Sequence, residues 1–254
     1  MSSNNSKLVT KNLYSKNAKE YDRHRLQKLR GRVLSEHDIA LFLTMLPVDL
    51  FKKNILEVGA GTGRFTFPLL DTDSRMKILS TDINDEMLSR FRKRVLTEEL
   101  KGQSRNQIED VFNLSFKDNE FDFVFGIHLI PRFIKFEDQY EALNEISRVV
   151  KPGGHILFNF RNSNSPYRIF YKGYSITSQK INSMLFDFKL NAIKTKGKWL
   201  ITRKLLDLLP ESFSKIISLL DKALWRVFPL GAWDVFILAE KIGPGQNDLE
   251  GSEK

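Results

Sequence analysis

The sequence predicts an α/β fold in which a mainly parallel β-sheet carries helices on both faces. Short apolar runs alternate with stretches of helical periodicity, which is typical of parallel strands joined by helices. A glycine-rich segment also joins the first apolar run to the stretch that follows it. With 254 residues, of which 41% are hydrophobic, the chain is long enough for one such domain with a full core.

The predicted elements follow in a regular order. Residues 13–46 form an N-terminal helical cap that ends at Pro47, and the polar ends, 1–12 and 243–254, are expected to be disordered. The predicted strands are 53–58, 76–81, 106–109, 121–127, 155–160, 188–195 and 235–240. Helices are predicted at 64–70, from Asp82 to about Leu100, and at 137–150.

The segments around the last three predicted strands are less regular. Proline and two glycines in 151–154 predict a turn before the fifth strand. Residues 161–188 form an irregular segment that runs into a helix. Residues 200–228 form an amphipathic helical stretch broken at Pro210. We expect 161–228 to act as a lid, or its apolar face simply to pack on the sheet.

Composition limits the class of protein. No apolar run approaches the ~20 residues that span a bilayer, and the polar N-terminus lacks a signal sequence, so we expect a cytoplasmic protein. Cysteine is absent, which excludes disulfides and thiolate chemistry. The net charge is +9, with basic excess in 1–32 and 193–228. Such patches permit contact with RNA or a membrane surface, or are simply solvated.

The glycine-rich segment predicts a nucleotide site. An apolar run ends at Glu57, and Gly59, Gly61 and Gly63 follow at every second position. Glycines allow positive φ and a close approach of the backbone to a ligand. A dinucleotide fingerprint needs a small residue where this chain has Arg64, so NAD is excluded.

Asp82 extends this site. It closes the second predicted strand about 20 residues after the last glycine, where a carboxylate can bind both hydroxyls of a ribose. It also precedes a helical stretch and is a candidate N-cap. Ile83 follows at a position where an apolar side chain can cover an adenine ring.

Taken with later segments, the pattern E-x-G-x-G-x-G resembles the first motif of the class I methyltransferases, which use S-adenosylmethionine. The stretch 108–124 is similar to the family's adenine-side motif, and 147–154 is similar to a structural motif that precedes the fifth strand. The resemblance covers 53–160, the expected cofactor-binding core, and leaves 161–230 as the acceptor side. It implies a Rossmann-like, doubly wound, seven-stranded mixed sheet whose last strand is antiparallel.

The resemblance also implies which residues bind the cofactor. In the family, the acid at Asp110 accepts from the adenine amino group, and Glu109 is the alternative if the register differs by one. Residues 18–25 resemble a helix that covers the cofactor, so Tyr21 and Arg25 face the methionine carboxylate unless this is only a charged surface helix. The full expected set is Glu57, Gly59, Ala60, Gly61, Gly63, Asp82, Ile83, Asp110, Val111, Gly126, Tyr21 and Arg25, with no metal ligand.

His128 is the candidate general base. It follows the fourth predicted strand, whose end faces the transferred methyl group in the family, and a histidine suits proton transfer near pH 7. The alternative is a histidine that only packs beside Ile127 and Leu129. Arg132 and Arg161, near strand ends, are candidates for holding an anionic substrate, or are surface arginines.

Absent residues narrow the acceptor. Methylation of cytosine C5 and of thiol-bound arsenic both need cysteine. The segment after the fourth strand lacks the D/N-P-P-aromatic motif of DNA amino methylation and the paired glutamates of arginine methylation. We therefore expect a small-molecule or lipid- or sugar-linked acceptor, methylated at oxygen or nitrogen, and no DNA. A non-catalytic, cofactor-binding partner subunit and an RNA or protein methyltransferase are the alternatives.

Overall fold

The computed structural model describes residues 29–100, 103–166, 168, 175–198, 223 and 231–243. Tyr21 and Arg25 therefore lie outside the described residues, as do both segments expected to be disordered, apart from residue 243. Of the expected lid, 161–228, the structure describes residues 161–166, 168, 175–198 and 223. Within the described residues, no helix is both long enough and apolar enough to cross a membrane.

Strands and helices alternate along the described residues much as the sequence predicts. The helices are α1 (Leu29–Met45), α2 (Thr66–Leu70), α3 (Asp85–Thr97), α4 (Phe136–Val149) and α5 (Ser178–Asp187), with a short 3₁₀ turn at Ile130–Arg132. The strands are β1 (Ile55–Val58), β2 (Ile78–Asp82), β3 (Ser104–Ile108), β4 (Phe121–Gly126), β5 (Val150–Arg161), β6 (Leu190–Lys198) and β7 (Asp234–Lys241).

The strands form one seven-stranded mixed sheet in the order β3-β2-β1-β4-β5-β7-β6. Strands β1 to β5 are parallel to one another, whereas β7 is antiparallel to both β5 and β6. The predicted doubly wound sheet with an antiparallel last strand is confirmed. The strand order reverses between β1 and β4, and ligands of such sheets bind beyond the carboxyl ends of the strands at this switch point.

Side chains from successive residues of each strand fill two cores, one on either face of the sheet. Ile55 packs with Phe42 of α1 and Leu69 of α2 on one face. On the opposite face, Leu56 packs in the cluster that holds Leu143 of α4, together with side chains of α5. Helices therefore cover both faces, as the sequence predicts.

The predicted turn at 151–154 differs in the structure, where β5 already begins at Val150. Val150 pairs with Phe121 and His155 pairs with Phe123, so the four residues between them lie opposite Asp122 alone. Gly153 takes φ +74°, and a Cβ on Gly154 would lie 2.9 Å from the Asp122 carbonyl oxygen. The Pro-Gly-Gly sequence therefore forms a bulge inside the strand, because Val150 pairs before the glycines are reached.

Candidate cofactor and acceptor site

The glycine loop, residues 59–63, leaves β1 at the switch point. The backbone N–H groups of Gly59 and Ala60 both donate to the Thr81 carbonyl oxygen, at 2.8 and 2.9 Å, so the loop stays attached to β2. Gly59, Gly61 and Gly63 have φ values of 77°, 57° and 85°. Side chains rarely adopt these conformations, which explains a glycine at every second position.

The three glycines face different surroundings. A Cβ on Gly63 would lie 2.1 Å from the Phe67 ring, so the loop packs directly against α2 there. A Cβ on Gly59 would lie 2.9 Å from the Leu129 side chain. A Cβ on Gly61 would have only one described atom within 4 Å apart from its chain neighbours, which is Met87 Cε at 3.6 Å. Gly61 therefore presents open backbone surface, suited to the close approach of a ligand.

Asp82 lies directly beside this open backbone. Its Oδ2 accepts from the Gly61 N–H at 2.8 Å, and its Oδ1 accepts from the Asn84 N–H at 2.9 Å. Burial raises the pKa of Asp82, although these backbone hydrogen bonds oppose the shift. The N-cap of α3 is Asn84, whose side chain accepts from the Met87 N–H at 3.1 Å. The carboxylate of Asp82 is therefore not the helix cap, and it belongs to the loop.

Glu57 lies behind the loop and is only 3% exposed. Its Oε2 accepts from the hydroxyl groups of Thr66 on α2 and Ser80 on β2. Burial raises the pKa of Glu57 to about 7, with a smaller rise from the charge of Asp82, while the two hydroxyl hydrogen bonds oppose the rise. This carboxyl group joins the first two strands to α2 and supports the loop from inside.

The adenine-side residues follow β3 and β4 at the same edge of the sheet. Asp110 Oδ1 accepts from the Phe112 N–H at 3.1 Å, and its side chain is half-buried. The Glu109 carboxylate instead accepts from the Ser115 N–H at 3.0 Å and from Gln107. Val111 and Gly126 are buried and Ile83 is half-buried. Parallel pairing of β3, β2, β1 and β4 brings all of these positions together.

His128 lies in the turn after β4, with φ +60°. Its backbone N–H donates to Asn159 Oδ1 at 2.6 Å. One ring nitrogen, Nε2, lies 3.0 Å from Asp38 Oδ2, and the other, Nδ1, lies 3.2 Å from Asn159 Nδ2. The ring also packs near Phe65. Each ring nitrogen of the candidate base therefore has a partner within the protein.

The two candidate substrate arginines lie at the edge of the sheet where the parallel strands β4 and β5 end. Arg132 is exposed, and its Nε donates to the His128 carbonyl oxygen at 3.2 Å. Arg161 is half-buried at the end of β5, where its backbone lies opposite Asp234 in the register with β7. Arg132 thus lies in the turn after β4, and Arg161 lies at the end of the adjoining strand. Tyr21 and Arg25 lie outside the described residues.

Asp38 is a site residue that the sequence analysis missed. Its buried carboxylate accepts from Arg64 in the segment after the glycine loop, from Lys198 at the end of β6, and faces His128. Burial raises the pKa of Asp38, but the charges of Lys198, His128 and Arg64 together outweigh burial and hold it well below the ordinary value. The available signal was an acid on the buried face of a helix, between Ser35 and Phe42.

The structure also shows the contacts of Arg64, which stands where a dinucleotide fingerprint needs a small residue. Its Nε donates to Ser35 Oγ at 3.1 Å, and its guanidinium reaches Asp38, so it joins the glycine loop to α1. In a dinucleotide site the small residue at this position lets the helix pack on the strand. In this chain Gly63 makes the close contact and Arg64 turns away toward α1.

Solved structures share this fold over most of the chain. A possible histamine N-methyltransferase from Thermotoga maritima, described as S-adenosylmethionine-dependent, is 19% identical, with a TM-score of 0.63 over 91% of this chain and 99% of its own. Magnesium protoporphyrin IX methyltransferase from Synechocystis, with bound S-adenosylhomocysteine, is 14% identical, with a TM-score of 0.65 over 92% of this chain and 99% of its own. At these identities the likeness shows the fold alone.

The family comparison agrees with the resemblance found in the sequence. Over part of its length the chain is similar to a methyltransferase family. The family model that matches is described as a methyltransferase domain, and it covers residues 56–158. These bounds run from β1 to the middle of β5 and so contain the glycine loop, Asp82, Asp110 and His128.

Curated relatives match a part of the chain of similar length. Demethylmenaquinone methyltransferase of Bacteroides fragilis is 34% identical over 108 residues, which is 41% of this chain and 42% of its own length. The ubiquinone/menaquinone biosynthesis C-methyltransferase UbiE of Azotobacter vinelandii is 36% identical over 108 residues, 41% of this chain and 40% of its own. The chain thus spans less than half the length of these two relatives.

Proposed function

We propose that this protein transfers the methyl group of S-adenosylmethionine to a small-molecule or lipid- or sugar-linked acceptor. The observation that carries the proposal is the open backbone at Gly61 beside the Asp82 carboxylate, at the switch point of the sheet. An open glycine and a carboxylate beside it suit a ribose and the chain attached to it. The residues present therefore fit the cofactor that the domain family uses.

The cofactor site would be built from four neighbouring strand ends. Asp82 would bind the ribose hydroxyls, Asp110 the adenine amino group, and Ile83 the adenine face. The glycine loop would lie along the methionine part, with Gly126 forming the adjoining floor. Glu57 would act from behind the loop, because its carboxyl group is turned to Thr66 and Ser80.

The protein's contribution to the transfer is mainly alignment. The bound cofactor supplies an activated methyl group with its own leaving group, so the chain has to hold the acceptor atom in line with it. A base is needed only if the acceptor is protonated. We propose His128 for this role at Nδ1, which requires the Asn159 amide to turn away, since that amide faces Nδ1.

The acceptor is the open part of the proposal. The sequence analysis favours methylation at oxygen or nitrogen, whereas the curated relatives are named for demethylmenaquinone methylation and for C-methylation in quinone biosynthesis. A demethylmenaquinone is a lipophilic acceptor and so falls within the proposed class. Arg132 and Arg161 are the proposed contacts for an acceptor that carries negative charge.

Calorimetric titration with S-adenosylhomocysteine tests the cofactor site. We expect binding to the wild type, and at least about tenfold weaker binding to Asp82→Ala, because hydrogen bonds to a charged group are worth roughly 1.5–3 kcal/mol. Asp85→Ala is the matched control, since Asp85 is exposed and three residues away. A folded wild type that does not bind contradicts the proposed function.

A panel of acceptors with labelled cofactor tests the transfer itself. The panel contains a demethylmenaquinone, a phenol and an amine, so that the labelled product identifies carbon, oxygen or nitrogen as the acceptor atom. With an acceptor that is turned over, His128→Ala should preserve S-adenosylhomocysteine binding and lower turnover. Binding without any product across a broad metabolite extract would instead favour a non-catalytic partner subunit.

A further inference from the structure

Asp38 joins three parts of the molecule that are distant in the chain. It is 4% exposed on α1. Its two carboxylate oxygens accept hydrogen bonds from Lys198 of β6 and from Arg64 beside the glycine loop, and Oδ2 also contacts His128 in the turn after β4. Arg64 and Lys198 are cations at neutral pH, so the carboxylate is ionised and able to accept from His128.

The contacts of Asn159 show which nitrogen of His128 carries the hydrogen. The backbone N–H of His128 can only donate, so the atom of Asn159 that it meets at 2.6 Å must be the amide oxygen. The amide nitrogen therefore faces His128 Nδ1 at 3.2 Å and donates to it. Its second hydrogen points to Asp234 Oδ1, at 3.3 Å. Nδ1 is thus an acceptor, and the hydrogen lies on Nε2, which donates to Asp38.

The same contacts hold an unusual backbone conformation. His128 has φ +60°, a conformation that is strained for a residue other than glycine. The residue that follows, Leu129, lies over two glycines of the site: its side chain would be 2.9 Å from a Cβ on Gly59 and 3.1 Å from a Cβ on Gly126. The turn at His128 therefore decides where an apolar side chain covers the floor between β1 and β4.

We propose that Asp38 is a positioning residue that fixes the Nε2–H tautomer of His128 and couples the turn carrying His128 and Leu129 to the glycine loop through Arg64. This inference rests on the proposed function, since the loop is taken to hold the cofactor. Asp38 touches no reacting atom. It acts by holding Arg64 on one side and His128 on the other, so that the cofactor loop and the acceptor-side turn share one rigid support.

Nitrogen spectroscopy of the histidine rings tests the tautomer without any ligand. The chain has four histidines, and long-range ¹H–¹⁵N correlation spectra of the full-length protein at about pH 8 separate protonated from unprotonated ring nitrogens. His128→Gln identifies the His128 signals. We expect a protonated Nε2 and an unprotonated Nδ1, and any other pattern overturns the proposal.

Asp38→Asn tests the coupling. The substitution keeps the shape and removes the charge, so we expect mixed tautomers at His128 and a roughly tenfold rise in the Kd for S-adenosylhomocysteine, because Arg64 loses its charged partner. Asp85→Asn, an exposed acid paired with Arg92, should change neither property. An unchanged tautomer and an unchanged Kd in folded Asp38→Asn overturn the proposal.

A second variant covers the case in which Asp38→Asn does not fold. Arg64→Lys keeps a cation but loses the planar group that reaches both Ser35 and Asp38. We expect weaker S-adenosylhomocysteine binding with the His128 tautomer unchanged, and unchanged binding overturns the coupling. A wild type that binds no S-adenosylhomocysteine contradicts the proposed function instead, while the tautomer experiment still decides the role of Asp38.

Discussion

Gly61 and Gly63 lie two residues apart in one loop, and both have positive φ, yet they serve different ends. Gly63 allows the loop to pack on Phe67 and Phe91, whereas Gly61 leaves backbone open beside Asp82. The first requirement concerns folding and the second concerns the ligand. Glycines of one sequence pattern can therefore have different roles, which are distinguished by the atoms that an added Cβ would contact at each position.

A matched pair of substitutions separates the two roles. Gly63→Ala should lower the free energy of unfolding by about 2–4 kcal/mol, because the new Cβ would lie 2.1 Å from the Phe67 ring in addition to the backbone strain. Gly61→Ala should lower it by only about 1–2 kcal/mol, from strain alone, and should weaken S-adenosylhomocysteine binding. Urea unfolding and calorimetry give both quantities, and equal losses of stability would contradict the assignment.

Glu57 makes stability depend on pH. Its pKa is about 7 in the folded protein and 4.5 in the unfolded reference, so its stabilising effect is full below about pH 4.5 and is lost as the pH rises to about 7. A shift of this size corresponds to about 3 kcal/mol. Glu57→Gln cannot ionise, and its amide oxygen can still accept from Thr66 and Ser80.

Unfolding measured in urea at about pH 5 and pH 7.5 tests this. We expect the wild type to lose about 2 kcal/mol relative to Glu57→Gln over that interval, because part of the effect is already lost at pH 5. Comparing the two proteins removes the contribution of Asp82, whose pKa is also raised but which both contain. If the difference between the two proteins stays constant with pH, Glu57 does not titrate in this range.

At the scale of elements, contacts from distant strands complete the ends of helices. Lys194 and Lys196 of β6 reach the carbonyl and hydroxyl oxygens of Thr44, at the last turn of α1. Lys241 of β7 does the same for α4: its Nζ donates to the carbonyl oxygens of Ser147 and Val150, both at 2.7 Å. Cations at the carboxyl end of a helix satisfy carbonyl groups that have no partner within the helix.

Lys241→Met should therefore destabilise the protein by about 2 kcal/mol, because two carbonyl groups lose a charged donor. Burial also lowers the pKa of Lys241, so the unfolded chain binds the proton more tightly, and the loss for Lys241→Met should grow as the pH rises toward the ordinary lysine pKa. Lys117→Met, at an exposed position, is the control. Chemical denaturation measures both, and a loss for Lys241→Met no larger than for Lys117→Met would show that α4 does not depend on β7.

At the scale of the molecule, the parallel part of the sheet and its antiparallel end contribute differently to the site. Strands β1 to β4 carry the proposed cofactor positions, and the matched family region ends within β5. The strands beyond it, β6 and β7, supply Lys198 and Asp234, which contact Asp38 and Asn159. In the proposed function, the part of the chain that resembles the family would therefore provide the cofactor site, and the part beyond it would support the acceptor side.

The sequence by itself determined the alternation of strands and helices and the class of cofactor, and it predicts the positions that face this cofactor. These depend on local patterns: hydrophobic period, a glycine at every second position, and a carboxylate about 20 residues later. For the same reason Asp82 could be assigned to the site while its competing role as a cap stayed open. The structure settles that point by placing Asn84 at the cap.

Only the tertiary structure decided how the acceptor side is held. Asp38 meets His128 across 90 positions of sequence and Lys198 across 160, and no local pattern encodes contacts of that separation. The bulge at 151–154 depends in the same way on pairing with β4. The physical reason is that periodicity reports which side of one element is buried, whereas a cluster of charges forms only where several folded elements meet.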